Sequence, residues 1–260
     1  MISVPPRIRP LEPGECSVLA DTLGDGPETV IPVHQLRRGL ARAYAVGHPP
    51  GLADVIIQGD PPKEPWAFGA DADTLWDILQ TVHGWTCVNV GGEITVPLGA
   101  IIERETGAKV RHYGDVYHTL TRPAARFVDD AVRPLTKANL PLLEAAPAPV
   151  GEFQSLAALL TDGIAAGAVV EGRLVAIAKV SGLTELHAEI GVSTLKPWRV
   201  RSFATAAASD VARRVQGTGR VPVWSAGEDN LASLRVAEKL GFRELSRRTY
   251  LTPVRTESDA

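Results

Sequence analysis

The segment Gly191-Val192-Ser193-Thr194-Leu195-Lys196-Pro197-Trp198-Arg199-Val200-Arg201-Ser202-Phe203-Ala204-Thr205 is the part of the sequence best equipped for chemistry. Its pattern is that of a strand running into a short loop with two arginines, after which an alanine-rich helix opens at once. The first turn of a helix has backbone N–H groups without intrahelical partners and carries the positive end of the helix dipole, so a loop that opens a helix is aimed at an anion. With Arg199 and Arg201 beside those amides, the chemistry on offer is the holding of a pyrophosphate. An ordinary strand-to-helix turn with two surface arginines has the same local pattern, and this segment alone does not separate the two.

The elements that must position this loop can be read from periodicity. Upstream, residues 1–50 are rich in Pro, Gly and polar residues, with one helical stretch expected near Val33–Val46. Val55-Ile56-Ile57-Gln58-Gly59 reads as a strand that Asp60-Pro61-Pro62 ends. Apolar residues at Leu75, Ile78 and Leu79 predict a helix over 70–82. Trp85–Val90 reads as a strand, Val96–Thr106 as a helix stopped by Gly107, and Lys109–Leu120 as a strand. A linker follows over 121–130. Leu135–Leu140 predicts a strand end leading into a polar-capped helix, with breaks at Pro147, Pro149 and Gly151. Ser155–Gly163 reads as a short helix. Ala168–Val170 and Leu174–Val180 read as a hairpin around Gly172. Then come a strand over Glu185–Val192, a helix over Phe203–Val215, a strand over Val221–Ser225, a helix over Asn230–Leu240 stopped by Gly241, and a strand over Arg243–Leu251. Strands that first meander and then alternate with helices predict an α/β protein with a mixed sheet flanked by helices.

Two stretches share one grammar. Trp85–Val90, Gly91-Gly92-Glu93, a helix ending at Gly107 and a strand are echoed by Val221–Ser225, Gly227-Glu228, a helix ending at Gly241 and a strand. Pro65-Trp66 and Pro197-Trp198 precede the two blocks. A fixed repeat of this kind signals duplicated structure, although strand–helix–glycine–strand is also common in unrelated α/β chains, and both readings stay open.

A second signal lies downstream of the arginine loop: Trp224-Ser225-Ala226-Gly227-Glu228-Asp229-Asn230, then Ala232-Ser233-Leu234-Arg235-Val236-Ala237-Glu238-Lys239-Leu240-Gly241-Phe242. A strand ending near an asparagine, followed by a helix and a Lys-Leu-Gly-Phe turn, resembles the GNAT (GCN5-related) N-acetyltransferases, and the resemblance runs from about Val132 to Pro253. It implies a GNAT fold in the C-terminal half. With the internal echo it raises tandem GNAT-like halves, the N-terminal one a degenerate copy: an N-terminal α/β domain over 1–130 and a GNAT acetyltransferase domain over 131–260. By the same resemblance acetyl-CoA is the cosubstrate. Val192 and Thr194 would offer strand backbone groups to its pantetheine arm and acetyl carbonyl, with Ser193 in the same cofactor-binding run. Arg199, Val200, Arg201, Ser202, Phe203, Ala204 and Thr205 would wrap the pyrophosphate, and Asn230 and Ser233 would lie beside the pantetheine or adenine end. The implied activity is direct attack of an amine on a thioester, which needs a base, an oxyanion donor and an acid for the leaving thiolate. Glu189 stands where some members keep the base. His187 shares its strand face by period-2 alternation and could pass a proton on.

The sequence departs from the family pattern at three points. Val200 and Ser202 stand where the family's loop has glycines, which tolerate positive φ where valine does not. Ala237 stands where many members carry an acidic tyrosine, leaving Tyr250 or Ser225 as candidates for that role. The N-terminal half has no arginine loop at Trp66-Ala67-Phe68-Gly69-Ala70, so no second CoA site is expected there. These departures motivate a rival reading, a non-catalytic acyl-CoA-binding or structural GNAT-like module.

Bulk properties narrow the field further. The 260 residues are 45% hydrophobic and 22% charged, enough to bury a core. The formal charge of −3 does not suit a nucleic-acid binder, which shows a basic face. The histidines at 34, 48, 83, 112, 118 and 187 are scattered without metal-ligand spacing, so no metal is expected. Cys16 and Cys87, far apart, read as reduced thiols of a cytosolic protein, Cys87 in an apolar run. No stretch of about 18 apolar residues predicts a membrane span, Met1–Pro13 does not read as a signal peptide, and Arg255–Ala260 reads as a frayed polar tail. The expected protein is a cytoplasmic transferase acting on a primary amine of a small molecule or peptide, without nucleic-acid or membrane partners, a homodimer being open. Glu185, Glu189, Glu228 and Asp229 would suit a cationic acceptor.

Overall fold

The structure is a computed structural model that describes residues 8–47, 51–146 and 153–254. In chain order, its elements begin with β1 (Ile8–Pro10), α1 (Pro13–Leu23), α2 (Val30–Arg38), β2 (Arg42–Val46), β3 (Val55–Gln58), β4 (Trp66–Phe68) and α3 (Ala72–Thr81). They continue with β5 (Val88–Val90), α4 (Thr95–Thr106), β6 (Lys109–Thr119), β7 (Val132–Leu135), α5 (Leu140–Glu144) and α6 (Leu156–Asp162). The chain ends through β8 (Ala165–Val170), β9 (Arg173–Leu183), β10 (His187–Thr194), α7 (Phe203–Gly217), β11 (Val221–Gly227), α8 (Leu231–Leu240) and β12 (Arg243–Val254). These elements form two compact units. The first takes the described residues of Met1–Gly24, Gln35–Asp115 and Arg247–Ala260; the second takes Asp25–His34 and those of Val116–Ser246.

In the first unit the strands are ordered β1-β2-β3-β4-β5-β12, antiparallel except for the β4–β5 pair. Ile56, Leu75, Ile78, Leu79, Leu98, Ile102 and Leu251 fill its core, each apolar side chain contributing roughly 1.5–3 kcal/mol on burial. A buried arginine organises the strand ends. Arg248, 4% exposed, donates through Nε to Asn89 Oδ1 (2.5 Å) and through Nη2 to the carbonyls of Ala67 (2.8 Å) and Asn89 (3.1 Å), with its guanidinium 4.5 Å from the centre of the Phe68 ring. Asn89 in turn donates to Asp115 at 3.2 Å. A buried guanidinium is tolerated only when its donors are satisfied. Here they tie β4, β5 and β12 together. Cys16 and Cys87 are both free and buried, as reduced thiols should be. Burial, then the charge of Glu64, pushes the Cys87 thiol up to about 11, which leaves it inert as a nucleophile.

The second unit has strand order β6-β11-β10-β9-β8-β7. Helix α7 lies across this sheet, and Ala207, Ala208 and Ala212, all fully buried, let its backbone come close to Ile177, Val180 and Ile190. Trp224 and Phe242 meet edge to face at 5.6 Å in the same core.

Most elements fall where periodicity places them, and the mixed α/β class is observed. Four departures have physical causes. The helix expected over Val33–Val46 is instead α2 over Val30–Arg38 followed by strand β2. Gly39 turns the chain at φ +66°, and Ala43 and Ala45 alternate into the core opposite β3. Strand β5 is shorter than Trp85–Val90, starting at Val88. Helix α1 starts on Pro13, where the missing N–H costs nothing, and Glu15 accepts the Glu12 N–H at 3.0 Å. The short strands β1 and β4 are held by pairing rather than by pattern. The breaks expected at Pro147, Pro149 and Gly151 and the tail Arg255–Ala260 lie outside the described residues.

The helix-stop glycines of the echo, Gly107 and Gly241, are both left-handed, at φ +70° and +98°. An L side chain in that region costs roughly 1–2 kcal/mol. Gly241→Ala is therefore expected to destabilise the protein by about that amount, read as a lower urea midpoint with an unchanged m-value.

Candidate functional site

The site is built where two strands of the second unit stop pairing. Strand β10 is antiparallel to β9 through Ile190↔Val180, Val192↔Ala178 and Thr194↔Ala176. It is parallel to β11 only from His187↔Val221 to Glu189↔Val223, although β10 runs on to Thr194 and β11 to Gly227. Val192 and Thr194 lie in this unzipped part of β10. Ser193 points to the other face, where it lines a small cavity with Ala146, Leu174, Ile177 and Leu195.

The loop that follows has two left-handed residues and opens a helix. After a 3₁₀ turn over Lys196–Trp198, Arg199 is extended, Val200 is left-handed at φ +63° and Ser202 is left-handed at φ +62° as the N-cap of α7. Ser202 makes no side-chain cap, and the Ala206 N–H closes the first turn on the Ser202 carbonyl at 3.0 Å. The amides of Phe203, Ala204 and Thr205 are the ones a helix start leaves for an anion. Arg199 Nε donates to the Thr194 carbonyl (3.3 Å), and the Arg201 guanidinium stacks 4.9 Å from the Trp198 ring centre. The aromatic pair Trp198–Phe203, 6.3 Å apart, supports the turn. Val200 and Ser202 thus adopt the positive φ that glycine would adopt freely, and the Val200 side chain is fully exposed.

About 17 Å back along the strand, by its rise per residue, Glu189 is 9% exposed and accepts a 2.5 Å hydrogen bond from the Ser225 hydroxyl of β11. His187, on the same face, places Nδ1 2.7 Å from Asp25 Oδ1. Asp25 also accepts from the Thr184 hydroxyl (2.7 Å) and the Leu186 N–H (2.7 Å). Burial works to raise the Asp25 pKa, but the hydrogen bonds from Thr184, His187 and Leu186 outweigh it and hold the carboxyl below its usual range.

Of the other residues singled out in the sequence, Asn230 caps α8 by accepting the Ser233 N–H (3.2 Å), and Ser233 Oγ accepts the buried Trp224 indole N–H (3.0 Å). Ala237 is fully buried in the core. Of the two hydroxyls considered as acids, Ser225 meets Glu189, whereas Tyr250 belongs to the first unit, opposite Asn89 on β5, with burial and then Asp115 raising its pKa. The first unit handles its corresponding helix start differently. The Asp54 carboxylate accepts the N–H groups of Ala70 (2.9 Å) and Asp71 (3.0 Å), and Asp71 caps α3 through the Thr74 N–H (2.8 Å). An internal carboxylate there occupies the position an anion would take. Asp25 has no signal in the sequence near His187, since the two are 162 residues apart.

The frame is a mixed sheet whose parallel pair parts beside a left-handed loop and a helix start, and likeness to known proteins gives it a name. Residues 119–250, slightly more than half of the chain, match the family model for GNAT acetyltransferase. The chain belongs to the GNAT acetyltransferase family. A GCN5-related N-acetyltransferase-like protein from Streptococcus suis 89/1591 superposes with a TM-score of 0.71 at 18% identity, over 93% of this chain and 99% of that one. An acetyltransferase of the GNAT family from Novosphingobium aromaticivorans gives 0.55 at 20% identity, over 94% and 100%. A tandem GNAT protein from the clavulanic acid biosynthesis pathway, solved without AcCoA, gives 0.57 at 14% identity, over 95% and 97%. These likenesses run through both halves and support a tandem GNAT arrangement. No curated protein matches the sequence. Among the described residues, no helix is long and apolar enough to cross a membrane.

Two outcomes follow from this geometry. Left-handed valine costs on the order of 1–3 kcal/mol against the smaller entropic cost of glycine. Val200→Gly should therefore stabilise the protein by about 1 kcal/mol, seen as a higher melting temperature. The folded pKa of Asp25 is lowered, so its contribution to stability is complete above the unfolded carboxyl pKa and lost as pH falls through the folded one. The stability gap between parent and Asp25→Asn should be full at pH 7 and close progressively below about pH 4, as followed by urea melts at each pH.

Proposed function

We propose that this chain is an N-acetyltransferase that moves the acetyl group of acetyl-CoA directly to a primary amine of a small molecule or peptide. The observation that carries the reading is the Glu189–Ser225 pair, set where the β10–β11 register ends and upstream of the loop at Arg199–Thr205. The loop suits a diphosphate: exposed arginines at 199 and 201 and the amides that open α7 give charge and donors, and the unzipped edge of β10 offers backbone groups to an extended arm. In the reaction, the Glu189 carboxylate takes a proton from the acceptor ammonium. The freed nitrogen lone pair attacks the thioester carbonyl carbon, a C–N bond forms, the C–S bond breaks, and the sulfur leaves with the electron pair. The second nitrogen proton is lost, and the thiolate takes up one proton. Ser225, hydrogen-bonded to Glu189, orients the carboxylate.

A second reading, a module that binds acyl-CoA without turnover, is favoured by one observation: Ala237 is sealed in the core where many family members carry a tyrosine.

The test is titration calorimetry with acetyl-CoA beside a thiol-release assay over a panel of primary amines. The Arg199→Ala/Arg201→Ala double variant is expected to lose acetyl-CoA binding. Glu189→Gln is expected to keep binding but lose about 10²- to 10⁴-fold in turnover, the range for general base catalysis. Tight binding by the parent with no amine acetylated would establish the second reading instead, and no binding would remove both.

A further inference from the structure

The second unit holds a piece of chain that comes from far upstream, Asp25–His34. Its placement bears on Glu189. The cross-strand neighbours of Glu189 are Gly182 on β9 and Val223 on β11. Gly182 has no side chain because α2 lies on it. A Cβ there would come within 2.7 Å of Ile31 Cδ1 and 3.4 Å of both Ile31 Cα and Val30 Cγ1. On the other flank, Val30 is buried against Val223 and Tyr117. Directly opposed residues of neighbouring strands present their side chains on one face, so the first turn of α2 covers both flanks of Glu189. Ala188 and Ile190, which alternate to the opposite face, pack in the core under α7.

Both ends of the covering segment are fastened. Asp25 accepts from Thr184 and Leu186 and pairs with His187, the residue two before Glu189 on β10. At the other end His34 Nδ1 lies 3.0 Å from the carbonyl oxygen and 3.3 Å from the amide nitrogen of Leu183, and its ring stands 5.0 Å from that of Phe153. Val30 is wholly buried, whereas Ile31 keeps part of its surface open. Of these two helix residues, Ile31 is the one with surface left to meet a molecule approaching Glu189.

We infer that Ile31 is a specificity-determining residue for the acceptor, its side chain packing on the carbon next to the reacting nitrogen, and that Asp25 is a positioning residue that holds the roof in place. The acceptor class this selects is a primary amine on an unbranched hydrocarbon carbon, because the Ile31 side chain packs against the Gly182 backbone beside Glu189 and takes up the room a branch would need. The inference rests on the reading of Glu189 as the base.

The experiment compares kcat/KM of the parent, Ile31→Ala, Ile31→Val and Asp25→Asn for propylamine, isopropylamine and tert-butylamine, and for glycine- and valine-initiated dipeptides, with KM for acetyl-CoA measured in parallel. A methylene in an apolar pocket is worth roughly 10- to 200-fold in discrimination. Ile31→Ala is accordingly expected to raise the isopropylamine-to-propylamine ratio by about tenfold or more, with KM for acetyl-CoA unchanged. Asp25→Asn is expected to raise KM for every amine and leave that for acetyl-CoA unchanged. If Ile31→Ala fails to fold, Ile31→Val, one methylene shorter, is read the same way with a smaller shift. A parent that acetylates none of these amines overturns the transferase reading and this inference with it. A parent that acetylates them while Ile31→Ala and Ile31→Val keep its ranking overturns this inference alone.

Discussion

A parallel pair of strands that ceases to pair midway leaves backbone N–H and C=O groups on both edges, and inside a core such groups must find partners or be costly. That constraint underlies the second unit. The register ends at Glu189↔Val223, and both strands continue past it. The unit keeps α7 and its alanines packed on one face, so the opening does not collapse. A wedge held open by the surrounding packing is a ready receptor for an extended, hydrogen-bonding ligand. Every candidate function for this chain begins from that wedge.

The loop at the far end of β10 shows how backbone geometry can outlast the residues best suited to it. Val200 and Ser202 take left-handed conformations that favour glycine. Strain of this kind persists only where the surroundings fix it. Here the fixing comes from the stacked Arg201, Trp198 and Phe203 and from the Arg199 bond to Thr194. The direction of the loop's amides depends on φ and ψ rather than on side chains, which is why the loop keeps its left-handed shape with valine at its tip.

The two halves of the chain resolve the same problem, a helix start with spare amides, in opposite ways. In the second unit the start of α7 is flanked by exposed arginines and no internal cap. In the first, Asp54 and Asp71 supply the carboxylates themselves. Gly69 belongs to that closure, since a Cβ at its position would fall on the Asp54 carboxylate. The first unit also has a buried Arg248–Asn89–Asp115 network, which fastens its strands.

Much of the protein was legible in its residues because the signals are local. Gly107 and Gly241 stop helices, Ser155 and Asn230 start them, and the apolar run of β9 and the alanines of α7 declare buried segments. The arginine loop, too, could be placed, since its strand, its turn and its helix are consecutive. Other features are long-range. Strand β2 looked helical until Gly39 and the pairing with β3 decided its conformation. Neither β1 nor β4 has enough residues to declare a period. The sequence by itself determined which segments are amphipathic and where the chain must turn, because propensity and periodicity act over a few residues. Only the tertiary structure decided that Asp25 meets His187, that Val30 and Ile31 pack on Gly182, and that Ser225 bonds Glu189, because such contacts join residues far apart in sequence and leave no pattern in either segment alone.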